Sequence, residues 1–392
     1  KEVTYLFLET LFREIAPLFP DEYFHIGGDE NEGKHWDNNT EIQEFKKKHN
    51  LKTNHDLQTY FNIKLEKILK KLGKKLMGWD EILTPSTPTS AVIHSWRGKH
   101  EGLKQSTLIE AAKKGYQAVL SAGYYIDRVL SVENHYNVDP IGDAVLTKEE
   151  RKRILGAEAT MWSELVTPLT IDSRIWPRTA AIAERFWSAK EVTDVDNMKK
   201  RLKIINFQLE ELGITHIRNR DVILRNISNH KSIDALKNLS NICEPLKIYS
   251  RNKGGTEYKT FSPFTLFADA CVPDAEGAVI FNKQVDLFLN DKNEKSLHKI
   301  KKHLEIWSKN HEEFQKINQN PKTNSLEPLS RNVSLISDLL YNSIQNKKLT
   351  KTDLKNANTI AKQLKEPCED VELAILNSLN KLIAFCKTNY SN

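Results

Sequence analysis

Apolar positions along this chain fall first into a helical period and then into short runs that alternate with helical stretches. Val3, Leu6, Phe7, Leu11, Ile15 and Leu18 recur at spacings that predict a helix over residues 1–19. Residues 23–28, Tyr-Phe-His-Ile-Gly-Gly, read as a short buried strand. Thr40 followed by Gln43 resembles a capping box opening a short helix. Leu57, Phe61, Leu65, Ile68 and Leu72 predict a longer helix that Gly73 stops. Further strands are expected at 75–81, 91–96, 117–125 and 154–162. Helices are expected over about 105–114 and 177–187, followed by a long one marked by Met198, Leu202, Ile205, Leu209 and Leu212. Strand alternating with helix predicts an α/β fold built on a parallel sheet or barrel.

Beyond residue 215 the alternation stops. A mixed polar stretch carries turn signals at Glu244-Pro245 and Gly254-Gly255. Helical patterns then dominate, over about 282–290, 294–317, 328–346, 351–364 and 368–388. The expected organisation is an α/β domain over 1–214 and a mainly α-helical accessory domain over 215–392.

Composition changes this picture little. Of 392 residues, 39% are hydrophobic and 28% charged, the profile of an ordinary folded protein. The net charge of +6 comes from lysines spread over helices, without the Arg/Lys cluster and interleaved aromatics that nucleic-acid binding needs. No apolar run is long enough to span a membrane. Cys243, Cys271, Cys368 and Cys386 form no close pair, and their number fits either disulfides or buried thiols.

The candidate chemistry begins at Phe24-His25-Ile26-Gly27-Gly28-Asp29-Glu30. In a regular strand two neighbouring acids would point to opposite faces. The glycine pair lets the chain bend, so that both can serve one ligand at a strand tip, where barrel enzymes place their chemistry. The competing reading is the acidic start of a helix with Asp29 as its cap. Tyr125 with Asp127, and Trp162 with Glu164, are pairs at i and i+2 that would share one face at a strand end. Trp79 and Trp96 add flat apolar surfaces that suit the C–H face of a sugar, while acids take its hydroxyls.

The run His25-Ile26-Gly27-Gly28-Asp29-Glu30 resembles the H-x-G-G-D-E signature of the family 20 glycoside hydrolases, the β-N-acetylhexosaminidases. Motifs around Trp79, Trp96, Tyr125 and Trp162 follow in that family's order, and Ala181 to Trp187 resembles its last barrel helix. The likeness covers about 1–215; it is weaker over 240–275, around Tyr249, Phe261-Ser262-Pro263 and Ala268-Asp269-Ala270. It implies a partial TIM (β/α)8 barrel. The signature strand is the family's fourth, so the chain is expected to be N-terminally truncated and to hold the C-terminal five strand–helix units. The family's sugar-binding arginine, carried on its first strand, has no counterpart here.

The resemblance further implies substrate-assisted hydrolysis of terminal N-acetylglucosamine or N-acetylgalactosamine, with no cofactor and with the substrate's own acetamido group as nucleophile. In that scheme Glu30 is the general acid and Asp29 orients the acetamido group. Tyr125 bonds the acetamido oxygen, Trp79 and Trp96 wall its pocket, and Trp162 lies under the ring. Asp127 and Glu164 hold the O4 and O6 hydroxyls, and His25 supports the acid pair from behind. A periplasmic or secreted address is also implied. Three alternatives stand beside it. One is an inactive sugar-binding relic. Another is a two-carboxylate glycosidase pairing Glu30 with Glu164 or Asp80. The last is a metal site of His25, Asp29, Glu30 and His35. Glu158 and Arg178 are expected to make structural ion pairs.

Overall fold

The computed structural model describes residues 1–98, 103, 106–252, 266–318 and 320–390; Gly254-Gly255 and Phe261-Ser262-Pro263 lie outside them. The chain forms two compact units. The first holds Lys1–Tyr125 with Asn137–Thr160, and the second holds Ile126–Tyr136 with Met161–Asn392.

The first unit is a parallel α/β layer. Strands β1 (Tyr23–His25), β2 (Lys75–Trp79), β3 (Val92–Ser95), β4 (Gln117–Leu120) and β5 (Ile154–Ala157) pair in chain order, every pair parallel. Helices Asn54–Lys71, Thr107–Lys113 and Lys148–Lys152 supply three of the crossovers, whereas β2 reaches β3 through a 3-10 turn, Asp80–Ile82. Strands β2 to β4 carry the buried apolar residues Leu76, Val92, Ile93, Ala118 and Leu120, each at most 2% exposed. Burying each of the Leu, Val and Ile side chains stabilises the layer by roughly 1.5–3 kcal/mol, and the Ala118 methyl by less.

All five expected strands are present but shorter than the apolar runs suggested. Their hydrophobic pattern continues past the last ladder bond, where the chain turns away: into the 3-10 turn after Trp79, and into the Ser121–Gly123 turn after Leu120. The expectation of a buried strand at 23–28 is corrected. Tyr23 and Phe24 are half-buried and His25 is exposed, because β1 pairs with β2 on one side only among the described residues. The cap expected at Thr40 belongs to Asn39, whose side chain accepts from the Ile42 amide at 3.1 Å. Thr40 is already the first helical residue, and asparagine serves the N-cap as well. Reciprocal capping boxes occur instead at Thr53 with Asp56 and at Thr147 with Glu150.

The first helix spans Glu2–Ile15, and its buried residue, Phe12, lies outside the expected apolar stripe and packs against Phe24 at 4.7 Å between ring centroids. Val3, Leu6 and Phe7 remain more than 60% exposed.

The second unit is mainly helical. Helices Glu276–Asp291, Glu294–Ile317, Glu327–Asn346, Lys351–Gln363 and Leu376–Tyr390 enclose one core that includes Phe281, Phe314, Leu340, Leu379 and Leu382. The helix expected over 368–388 is corrected. Its first part is a strand, β7 (Val371–Leu373), antiparallel to β6 (Cys243–Pro245). Val371 and Leu373 are buried while Glu372 between them is not, a period of two hidden inside an apparent helical period. All four cysteines are free thiols, and Cys243, Cys271 and Cys386 are buried. Arg178 is buried and donates to the Leu130 carbonyl at 3.1 Å and to the Arg174 carbonyl, and among the described residues it forms no ion pair of the kind expected. Among the described residues, no helix is long and apolar enough to cross a membrane.

Candidate active site

Within the first unit the acids sit on a turn that the β1–β2 ladder holds. The Ile26 amide donates to the Met77 carbonyl and the Trp79 amide to the Gly27 carbonyl, both at 2.9 Å, so the pairing runs two residues past β1. The chain then leaves the sheet through Gly27 (φ 77°), Gly28 (φ 98°) and Glu30 (φ 48°). A Cβ on Gly28 would lie 2.6 Å from Ile82 Cγ2, so both the conformation and the space demand glycine there. Gln58 locks the turn by donating from Nε2 to the Gly28 carbonyl at 2.7 Å. Asp29 and Glu30 emerge exposed at the carboxyl end of β1, on a left-handed turn rather than as a helix cap.

Behind the turn lie three rings. His25 packs edge-on against Trp79 (centroids 5.0 Å apart), and His94 stacks on the same indole at 4.1 Å. His25 Nε2 lies 3.2 Å from His94 Nδ1. Desolvation, followed by repulsion from His94, lowers the pKa of His25; the charges of Glu158 and Asp29 oppose this. Glu158 Oε1 lies 2.8 Å from His94 Nε2, so the partner it meets is a histidine rather than a lysine or arginine.

Trp96 is half-buried, with its ring 6.4 Å from that of Tyr125, and its Nε1 donates to Glu81 Oε2 at 3.0 Å. Beside it Asp80 is buried and fully engaged. It accepts from Arg97 Nε at 2.7 Å, the Arg97 amide at 3.1 Å and Thr107 Oγ1 at 2.6 Å. An aspartate committed in this way has little left for the nucleophile role considered above. Among the described residues no group of three or more His, Cys, Asp or Glu side chains is placed to hold a metal ion, so His25, Asp29, Glu30 and His35 do not converge as ligands.

The shared-face argument for Tyr125 and Asp127 is corrected. Tyr125 makes an isolated parallel bridge to Thr160 in the first unit, while Asp127 lies in a 3-10 turn, Ile126–Arg128, of the second. Trp162 and Glu164 likewise follow β5 in irregular chain, exposed, in the second unit. The period of two applies only while the ladder lasts. Within the second unit Asp127 and Trp162 do meet. Asp127 is 5% exposed and accepts from the Trp162 backbone and from the Tyr249 hydroxyl. Desolvation raises its pKa, and these bonds with Arg128 pull it back. A cleft of about 750 Å³ between helices Glu327–Asn346 and Lys351–Gln363 includes none of the predicted residues.

Sequence reasoning missed His94, Glu81 and Arg97. A histidine inside the apolar run Ala91–Trp96 was the available signal, since a polar group in a buried strand needs a partner.

Residues 1–190 match the family model described as glycosyl hydrolase family 20, catalytic domain. Beta-hexosaminidase subunit beta of Mus musculus is 33% identical over 221 residues, 54% of this chain and 40% of that protein. The beta-hexosaminidase of Porphyromonas gingivalis is 33% identical over 240 residues, 55% of this chain and 29% of that protein. The chain thus spans well under half the length of these curated relatives. Among solved structures, the chitobiase of Flavobacterium johnsoniae superposes with a TM-score of 0.92 at 51% identity, covering 98% of this chain and 59% of that one.

Proposed function

We propose that this chain, which belongs to glycosyl hydrolase family 20 through residues 1–190, carries the acid–base machinery of a retaining exo-β-N-acetylhexosaminidase acting on terminal N-acetylglucosamine or N-acetylgalactosamine. The observation that carries the reading is the turn at Gly27–Glu30, which throws two adjacent carboxylates out from one strand tip. In this scheme Glu30 donates its proton to the glycosidic oxygen while the acetamido oxygen attacks the anomeric carbon. The C–O bond breaks and an oxazolinium forms, with Asp29 stabilising its N–H. Water then opens the ring and returns a proton to Glu30, so no enzyme carboxylate bonds to the sugar and no cofactor is needed.

Tyr125 is assigned to the acetamido oxygen, Trp79 and Trp96 to its walls, and His25 to support of the acid turn. Trp162 is assigned to the sugar ring, and Asp127 and Glu164 to its O4 and O6 hydroxyls. We assign β1–β5 to the last five strand–helix units of a (β/α)8 barrel, residues 1–214 to that catalytic domain and residues 215–392 to a helical accessory domain. A protein carrying this chain should cleave a chromogenic N-acetyl-β-glucosaminide. Glu30→Gln should lower kcat by about 10²-fold or more. An unchanged rate, or equal cleavage of the analogue lacking the 2-acetamido group, would remove this reading.

A further inference from the structure

Behind the acid turn the Gly27 amide, His25 and His94 form one directional hydrogen-bond chain, and Glu158, just past β5, stands against its last nitrogen. The Gly27 amide donates to His25 Nδ1 at 3.1 Å. That nitrogen must be an acceptor, so in the neutral ring the hydrogen sits on Nε2. His25 Nε2 lies 3.2 Å from His94 Nδ1, which must then accept, and the hydrogen of His94 is likewise on Nε2. His94 Nε2 lies 2.8 Å from Glu158 Oε1 and 2.8 Å from Ser121 Oγ. The direction is therefore fixed from Gly27 to His25 to His94, and the Nε2–H of His94 meets Ser121 Oγ in a hydrogen bond with the Glu158 carboxylate, which only accepts, beside it. Reversing either ring would place two acceptors or two donors face to face. The chain starts two residues before Asp29 and ends at His94, against Glu158, whose side chain is 43% exposed. His94 is 4% exposed, with one face covered by Trp79.

We propose that His94 and Glu158 are positioning residues that act through His25, fixing the Gly27 amide and with it the turn that presents Asp29 and Glu30. The catalytic part of this inference rests on the reading of Asp29 and Glu30 as the acid pair; the tautomers and the hold on Gly27 do not. His25 remains neutral in this arrangement, and its lowered pKa agrees with that. The groups facing it are His94, Glu158 and Asp29. Glu158→Gln keeps an acceptor oxygen at the same reach, while Glu158→Leu removes it. His94→Phe keeps a ring against Trp79 and removes both nitrogens.

The test is nitrogen-15 NMR on the full chain, combined with amide exchange. Both imidazoles of the wild type should show a bare Nδ1 and a protonated Nε2 at pH 6.5. His94→Phe and Glu158→Leu should speed exchange of the Gly27 amide by about ten-fold, and Glu158→Gln should leave it near the wild-type rate. In a protein that turns over the N-acetyl substrate, the same two variants should lose kcat by about ten-fold with KM within about two-fold. An Nδ1–H tautomer on either ring, or equal exchange in Glu158→Leu and Glu158→Gln, would overturn the proposal. Should His94→Phe fail to fold, the Glu158 pair still decides. An absence of hydrolysis by the wild type would count against the activity alone, since the tautomers and exchange rates are read without it.

Discussion

The indole nitrogen of Trp96 donates to a carboxylate oxygen of Glu81, 3.0 Å away. Glu81 follows β2 and Trp96 follows β3, so this bond ties two neighbouring strand tips and sets the plane of the ring. Burial raises the pKa of Glu81, the Trp96 bond lowers it, and the nearby Asp80 adds a further push upward. On the proposed assignment of Trp96 to the acetamido pocket, Glu81→Leu should free the indole and raise KM for the N-acetyl substrate by about ten-fold, while kcat changes by less than about three-fold. Glu81→Gln keeps the acceptor and should stay near the wild type. Steady-state kinetics on the pair reads the difference.

Gly28 and Gly73 both have positive φ, at 98° and 73°, but only Gly28 is crowded, by Ile82 Cγ2 at 2.6 Å from a virtual Cβ. Gly28→Ala adds overpacking to backbone strain and should lose roughly 2–4 kcal/mol of stability. Gly73→Ala meets nothing within 4 Å and should lose about 1 kcal/mol. Urea denaturation of the two variants separates space from conformation.

Asp127 makes a contribution to stability that depends on pH. Its folded pKa is raised by burial, so between its unfolded value near about 4 and its folded value the native state holds the proton more tightly. Stability from this group is full in acid and is lost as pH climbs through the folded pKa. Asp127→Asn should flatten that fall. Tyr249→Phe, which removes a bond to the charged form, should push the folded pKa further up and extend the fall to higher pH. Denaturation midpoints measured from pH 4 upward in half-unit steps test both signs.

The thiols should be inert in the folded protein. Burial pushes Cys271 and Cys386 up to about 12 and Cys368 up to about 11, and Cys243 also lies well above the usual thiol range. The thiolate is the reactive form. Iodoacetamide at pH 8 should leave all four unlabelled over minutes and label all four in guanidinium. Mass spectrometry counts the additions.

What could be read in the sequence was whatever depends on near neighbours. The apolar runs at 75–81 and 91–96 announced β2 and β3, and Gly27-Gly28 announced the turn that lifts Asp29 and Glu30. Strand ends were not legible, because a ladder stops where its partner strand stops. Leu120 ends β4 although the apolar pattern continues through Tyr124 and Tyr125. For the same reason Asp127 turned out to share no strand face with Tyr125. His94 was invisible as a partner of His25, since the two lie 69 residues apart and only the parallel register brings them together.

The first unit is discontinuous: the chain leaves it at Tyr125, returns at Asn137 and leaves again at Thr160. A single scission therefore cannot release either body intact. A protease nicking the Ile126–Tyr136 excursion would strand β5 from the other four strands in sequence. Dissection for expression needs a graft that rejoins 125 to 137, not a truncation.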